Sequence, residues 1–234
     1  MAPPDPLPSN GRALVIRQEE RADAATDLER SVELLRAVAD GTIAQHRVVR
    51  LYAPVPTVAL SRRESRLPGF ETATRAAIER GFTPVVRPTG GRAVAYDESC
   101  IVFDIIAREE QGAIGQARFF REVGDALAAA MRDLGVDARV GDVPGEYCPG
   151  EFSINARGAV KLIGTSQRAV RGARLLSGML PLGAVDRFAD VLIAVNAALD
   201  LDWDPATFGS LAAEAPGIPR TSVEEALIAA LAGF

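Results

Sequence analysis

A solitary lysine, a loop cysteine and an arginine-flanked pair of glycines are the parts of this sequence that could do chemistry. Lys161, in Val160-Lys161-Leu162-Ile163-Gly164-Thr165-Ser166-Gln167, is the only lysine among 26 basic residues. Where arginine serves every other positive charge, a retained lysine marks a place that wants a compact charge rather than a planar fork. Strand alternation puts Lys161 and Ile163 on one face, opposite Val160 and Leu162. Lys161 then either points into a cleft, where it could stabilise a developing oxyanion or an adenylate, or stands outward on a half-buried strand. Cys148, in Gly145-Glu146-Tyr147-Cys148-Pro149-Gly150, lies in a Gly/Pro loop, not in an apolar run. A loop thiol close to a lysine is a candidate acyl-accepting nucleophile; the plainer alternative is a loop residue without chemistry. In Arg87-Pro88-Thr89-Gly90-Gly91-Arg92-Ala93-Val94, the paired glycines would let backbone N–H groups approach an anion or a carbonyl. Arg87 and Arg92 could grip a phosphate bidentately. The same stretch would equally serve as a Gly-Gly turn between two solvated arginines.

The other reactive residue types narrow the field. His46 is the only histidine, so neither a His-based metal site nor a His-dependent triad is expected. Cys100, leading Ile101-Val102-Phe103, reads as a small buried hydrophobe, and two cysteines do not make a disulfide framework. A net charge of -5, with arginines interleaved with acids, gives no basic stripe for nucleic acid. No run approaches the roughly 18–20 apolar residues that cross a bilayer. The Pro-rich start over residues 1–11 lacks the order of a signal peptide. These features predict a cytoplasmic protein with a short disordered tail, no membrane contact and no nucleic-acid partner.

The elements that must position these residues follow from periodicity. Thr26-Asp27-Leu28-Glu29 reads as a capping box, after which Leu28, Val32, Leu35 and Val38 recur at helical spacing up to Gly41. Strands are expected near Val48–Tyr52 and Thr57–Ser61, with Pro54 and Pro56 between them, and a helix over Phe70–Arg80. Val85–Arg87, Arg92–Tyr96 and Ile101–Ile106 are β-rich, and the longest helix should run from about Ile114 to Leu134. A hairpin over Ser153–Ile163 turns at Arg157-Gly158. A strand near Leu175–Leu182, a helix over Val185–Leu199 and a last helix capped by Ser222 complete the chain. The pattern predicts α+β with a mainly antiparallel sheet flanked by helices. With 234 residues, 48% of them hydrophobic, it predicts one main domain over residues 12–200. A docked helical extension over 201–234 is expected in place of a separate accessory domain.

Two stretches carry a family resemblance. Arg87-Pro88-Thr89-Gly90-Gly91-Arg92-Ala93-Val94-Ala95-Tyr96-Asp97 resembles the R-x-[ST]-G-G-[RG]-A-V-x-H-D signature of lipoate–protein ligases and related octanoyltransferases. Lys161-Leu162-Ile163-Gly164-Thr165-Ser166-Gln167-Arg168 resembles their second signature, K-[IV]-[AS]-G-[ST]-A-Q-R, and Leu175-Leu176-Ser177-Gly178-Met179-Leu180 the stretch after it. The resemblance implies a fold shared with biotin protein ligases and class II synthetases. It implies an acyl chain in a tunnel beside Gly90-Gly91, lined by Arg87, Thr89, Arg92, Ala93, Gly164, Thr165, Ser166 and Gly178, with Lys161 holding the acyl carbonyl. One octanoyltransferase subgroup uses a cysteine upstream of the lysine motif, where Cys148 stands, and Arg92 also resembles that subgroup. The implied activity is transfer of a lipoyl or octanoyl group to a lysine of a lipoyl domain or a glycine-cleavage H-type carrier. An acyl carrier protein is a possible donor, and no cofactor is needed. The alternatives are an ATP- and Mg²⁺-dependent ligase and a non-catalytic acyl-binding relative. Tyr96 and Ser177 stand where the family usually has histidine, which leaves the acyl group open.

Overall fold

The computed structural model describes residues 13–108 and 116–233. The expected tail over residues 1–11 and the expected helix start near Ile114 lie outside the described residues. The chain begins with a strand, β1 (Ala13–Gln18), and enters helix α1 (Ala24–Ala39). Asp23 caps that helix, its carboxylate accepting from the N–H groups of Ala25 and Thr26. The capping box expected at Thr26 is therefore corrected. Asp23 is an equally good acceptor placed earlier, and Asp27, one turn further on, is buried.

Next come β2 (Arg47–Tyr52) and β3 (Thr57–Leu60). They do not pair with each other, because Pro54 and Pro56 carry the chain from one sheet into another. β2 joins a seven-stranded sheet of order β1-β2-β6-β10-β9-β8-β7, and β3 is the centre of a three-stranded sheet, β4-β3-β5. Here β4 is Thr83–Val86, β5 Val94–Tyr96, β6 Cys100–Arg108, β7 Ala138–Val140, β8 Ile154–Ala156, β9 Val160–Val170 and β10 Ala173–Pro181. Pairing in the large sheet is antiparallel apart from β1 with β2. The β8–β9 hairpin turns at Arg157 and Gly158, both at positive φ (59° and 70°), as a type I′ turn requires.

Alternation divides the large sheet into two faces. One carries Val49, Leu51, Phe103, Ile105, Leu176 and Leu180 and packs under helices α3 (Gln116–Asp133) and α6 (Arg220–Ala232). The other carries Val48, Ile106 and Leu175 beneath α1. Tyr52, Val102 and Met179 of the same face lie beneath the small sheet. Helices α2 (Phe70–Glu79) and α4 (Asp186–Ala198) pack against each other on the small sheet. Asp202–Gly217, where composition loosens, still buries Phe208 and Leu211 in these cores. α6 starts after Pro219 without a side-chain cap, so Ser222 lies inside its first turn; this corrects the expected Ser222 cap. No described helix is long and apolar enough to cross a membrane.

Gly178 of β10 shows how tightly the faces are set. A Cβ there would stand 2.2 Å from the Phe103 ring, which is fully buried. Gly178→Ala is expected to lose about 1–3 kcal/mol by overpacking, seen as a lower urea midpoint with unchanged slope. An unchanged midpoint would mean that the ring moves aside freely.

Candidate active site

The face beneath the small sheet forms one wall of a tunnel. The register aligns Gly164 of β9, Met179 of β10, Val102 of β6 and Tyr52 of β2 in one row across four strands. All four line the tunnel. Three interstrand steps span about 14 Å. Ser166 and Ser177 line it one row along, and the opposite wall comes from Leu28 and Ser31 of α1, Ala59 of β3, and Val94 and Tyr96 of β5.

Lys161 and Cys148 meet at the Gly164 end. β9 carries a bulge opposite β8, so that Asn155 pairs with Lys161 and Ile154 with Ile163, leaving Leu162 unmatched. The extra residue breaks the alternation. This corrects the expected shared face: Ile163 and Leu162 both enter the core under α3, while Lys161 lines the tunnel. Lys161 is 2% exposed. Its Nζ donates to the carbonyl of Cys148 at 2.6 Å and to Glu146 Oε1 at 3.1 Å. An ammonium has three N–H donors, so one remains for a ligand. Gly164 leaves room for the lysine stem, since a Cβ there would stand 2.9 Å from Lys161 Cε.

The partly buried Cys148 thiol faces the glycine pair. Its Sγ accepts from the Arg92 N–H at 3.1 Å. A Cβ on Gly91, which sits at φ 95°, would lie 3.1 Å from that sulfur and 2.7 Å from Arg87 Nη2. Only glycine fits between them. Arg87 Nη2 donates to the Arg92 carbonyl and Arg92 Nη1 to the Asp202 carbonyl. Ser166 Oγ donates to Thr89 Oγ1 at 2.9 Å, tying this loop to β9. By contrast Cys100 is sealed in the core, and burial pushes its thiol up to about 12.

Of the expected site residues, Arg87, Thr89, Arg92, Cys148, Lys161, Gly164, Thr165, Ser166 and Gly178 line the tunnel. Gly91 backs the thiol. Gly90 is exposed with open space beside it. Ala93 is buried away from the lining, held by its N–H donating to Glu64 Oε1 at 2.7 Å. Gly178 contributes only backbone to the tunnel, because its other side is occupied by Phe103.

Sequence reasoning passed over two buried carboxylates. Glu64 also accepts from the N–H and hydroxyl of Ser61, and so anchors the glycine loop. Glu146 is 1% exposed and accepts from Lys161, the Ser153 hydroxyl and the Val143 N–H. Tyr147, the next residue in the chain, packs edge-on against Trp203 and at 5.0 Å from Phe208, and burial pushes its phenol upward. Breaking a buried ion pair leaves an uncompensated charge, at a cost of about 3–5 kcal/mol. Glu146→Gln should lose that much stability in urea, and a second change, Lys161→Met, should restore part of it. A stable single variant would show that the pair contributes little.

Among the described residues no group of three or more His, Cys, Asp and Glu side chains converges as a metal site would need. Over 125 residues the chain is 34% identical to an octanoyl-[GcvH]:protein N-octanoyltransferase of Exiguobacterium sp. (strain AT1b), covering 53% of this chain and 44% of that protein. The same coverage holds at 31% identity for the protein of that name from Geobacillus kaustophilus. The matches thus cover less than half the length of these relatives. A lipoate-protein ligase A solved with ATP shares the fold at a TM-score of 0.75 and 20% identity, covering 95% of this chain and 84% of that one. So does a bipartite lipoate protein ligase from Thermoplasma acidophilum, at 0.68 and 18%, covering 94% and 81%. Residues 23–232 match the lipoyl protein ligase A/B catalytic domain, and the chain belongs to that family.

Proposed function

We propose that the protein transfers an octanoyl or lipoyl group to a lysine amine of a lipoyl-type carrier domain, through a thioester on Cys148. The observation that carries this reading is the meeting of the Cys148 thiol and the Lys161 ammonium at one end of a mostly apolar tunnel. The names of the relatives add support, since they describe octanoyl transfer from a carrier to a protein nitrogen.

In the first step the Cys148 sulfur attacks the acyl carbonyl carbon and loses its proton. The tetrahedral oxyanion takes the free N–H of Lys161. The bond to the donor breaks, and the leaving group, a carrier thiol or a carrier lysine amine, departs with the proton. In the second step the acceptor lysine amine attacks the thioester, the amide forms and the Cys148 thiol is regenerated. The Arg92 N–H, directed at the sulfur, steadies the thiolate at both stages. This route uses no cofactor. In the alternative route ATP and Mg²⁺ would activate a free acid as an adenylate, and Cys148 would take no part.

Intact-mass spectrometry tests the reading. The protein is incubated with an octanoyl-H-type carrier, with an octanoyl-acyl carrier protein, and separately with octanoate, ATP and Mg²⁺. An octanoyl increment from either carrier, removed by hydroxylamine, is expected. No increment from the carriers, together with acyl-adenylate formed from ATP, would replace the thioester route by the ligase route.

A further inference from the structure

The end of the tunnel remote from Cys148 is polar, and a plain hydrocarbon tail has no use for that polarity. Tyr52 and Tyr96 line this region at 4% and 6% exposure. Among the described residues neither phenol hydroxyl has a hydrogen-bond partner. Burial pushes both phenols upward, so each remains a protonated donor. Beside them the hydroxyls of Ser31 and Ser177 spend their protons on the two oxygens of Asp104, at 2.7 and 2.6 Å. Asp104 is held by Arg50 at 3.1 Å, and Arg50 in turn by Asp27 at 2.7 Å. The ion-paired carboxylate fixes both serines as acceptors, because a hydroxyl whose proton is committed keeps only lone pairs to offer. Two phenol donors on buried tyrosines therefore face the tunnel, with buried Ser31, which already accepts from Arg50 Nη1 at 3.1 Å and keeps one lone pair, and half-buried Ser177 of β10 as the acceptors beside them.

We propose that this remote end is a subsite for an acyl chain bearing a hydroxyl group near its distal end. Such a hydroxyl accepts from a tyrosine and donates to a serine, whereas an alkyl or methyl end leaves both phenol donors without a partner. The proposal rests on the acyl-transfer reading for the identity of the chain's other end, the carbonyl held at Lys161. A site built to pair a hydroxyl discriminates strongly against the analogue that lacks it, because its own buried groups are then orphaned.

Isothermal titration of the full chain with 8-hydroxyoctanoic and 10-hydroxydecanoic acids, each against its unsubstituted parent, tests this without requiring turnover. At least one hydroxy acid is expected to bind about tenfold more tightly than its parent, the scale of one well-made hydrogen bond. The ratio should fall to near unity in Tyr52→Phe and Tyr96→Phe. Ser177→Ala, read the same way, covers the case in which a tyrosine variant fails to fold. Equal affinities, no binding by either hydroxy acid, or a preference that survives all three changes would overturn the proposal. Hydroxyl preference without acylation of Cys148 would leave the subsite standing and sink the transfer reading. Octanoylation of Cys148 without hydroxyl preference would do the reverse.

Discussion

Replacing Cys148 by alanine is expected to remove the acyl-enzyme altogether and to lower transfer by on the order of a thousandfold or more, as loss of a catalytic nucleophile does. Alanine takes away the sulfur but leaves the Cys148 carbonyl that receives the Lys161 ammonium, so the lysine keeps its position. Serine is the sharper probe, since it preserves the shape and the Arg92 N–H contact but offers a far weaker nucleophile than a thiolate. An octanoyl ester on Cys148→Ser, if it forms, should form slowly and resist hydroxylamine better than the thioester. Full transfer by Cys148→Ala would end the thioester mechanism and leave Cys148 as a loop residue whose carbonyl orients a lysine.

Changing Lys161 to methionine should cut transfer by on the order of a hundredfold to a thousandfold, the usual effect of losing one oxyanion donor. Methionine retains most of the buried stem and gives up only the charge. Part of the expected stability loss falls on Glu146, left buried without its cation, so the rate must be measured under conditions where the variant is folded. Arginine should not rescue activity. Gly164 and the Tyr147 hydroxyl crowd the end of the lysine stem, and a planar fork cannot enter where a point charge does. Normal turnover by Lys161→Met, with acylation of Cys148 intact, would remove the lysine from the chemistry.

Much of this arrangement was legible because it rests on local signals. The Arg157-Gly158 turn, the helix end at Gly41, and the strands at β6 and β10 all follow from short-range pattern. The solitary lysine and the loop cysteine drew notice by type and setting alone. What escaped depends on contacts between distant segments. Nothing near Ser61-Arg62-Arg63-Glu64 indicates that Glu64 will hold the N–H of Ala93 across 29 residues. The bulge at Leu162 is invisible to a rule of strict alternation, because it exists only in the pairing with β8. The capping box at Thr26 was plausible locally and lost to Asp23. With the cap at Asp23, Asp27 lies one turn inside the helix, where it pairs with buried Arg50. The two-sheet division likewise turns on Pro54 and Pro56, which say that a strand ends but not where the next one goes.

The tunnel crosses its strands instead of running along one of them. Along this row each strand therefore contributes one residue at a fixed depth, beginning with Gly164 and passing Met179 and Val102 to Tyr52. The sheet acts as a graduated ruler whose divisions are the interstrand spacing, about 4.8 Å apart. Evolution could reset the accepted chain length of such a protein by enlarging one residue on one strand, with no change in the backbone and no disturbance of the reacting end.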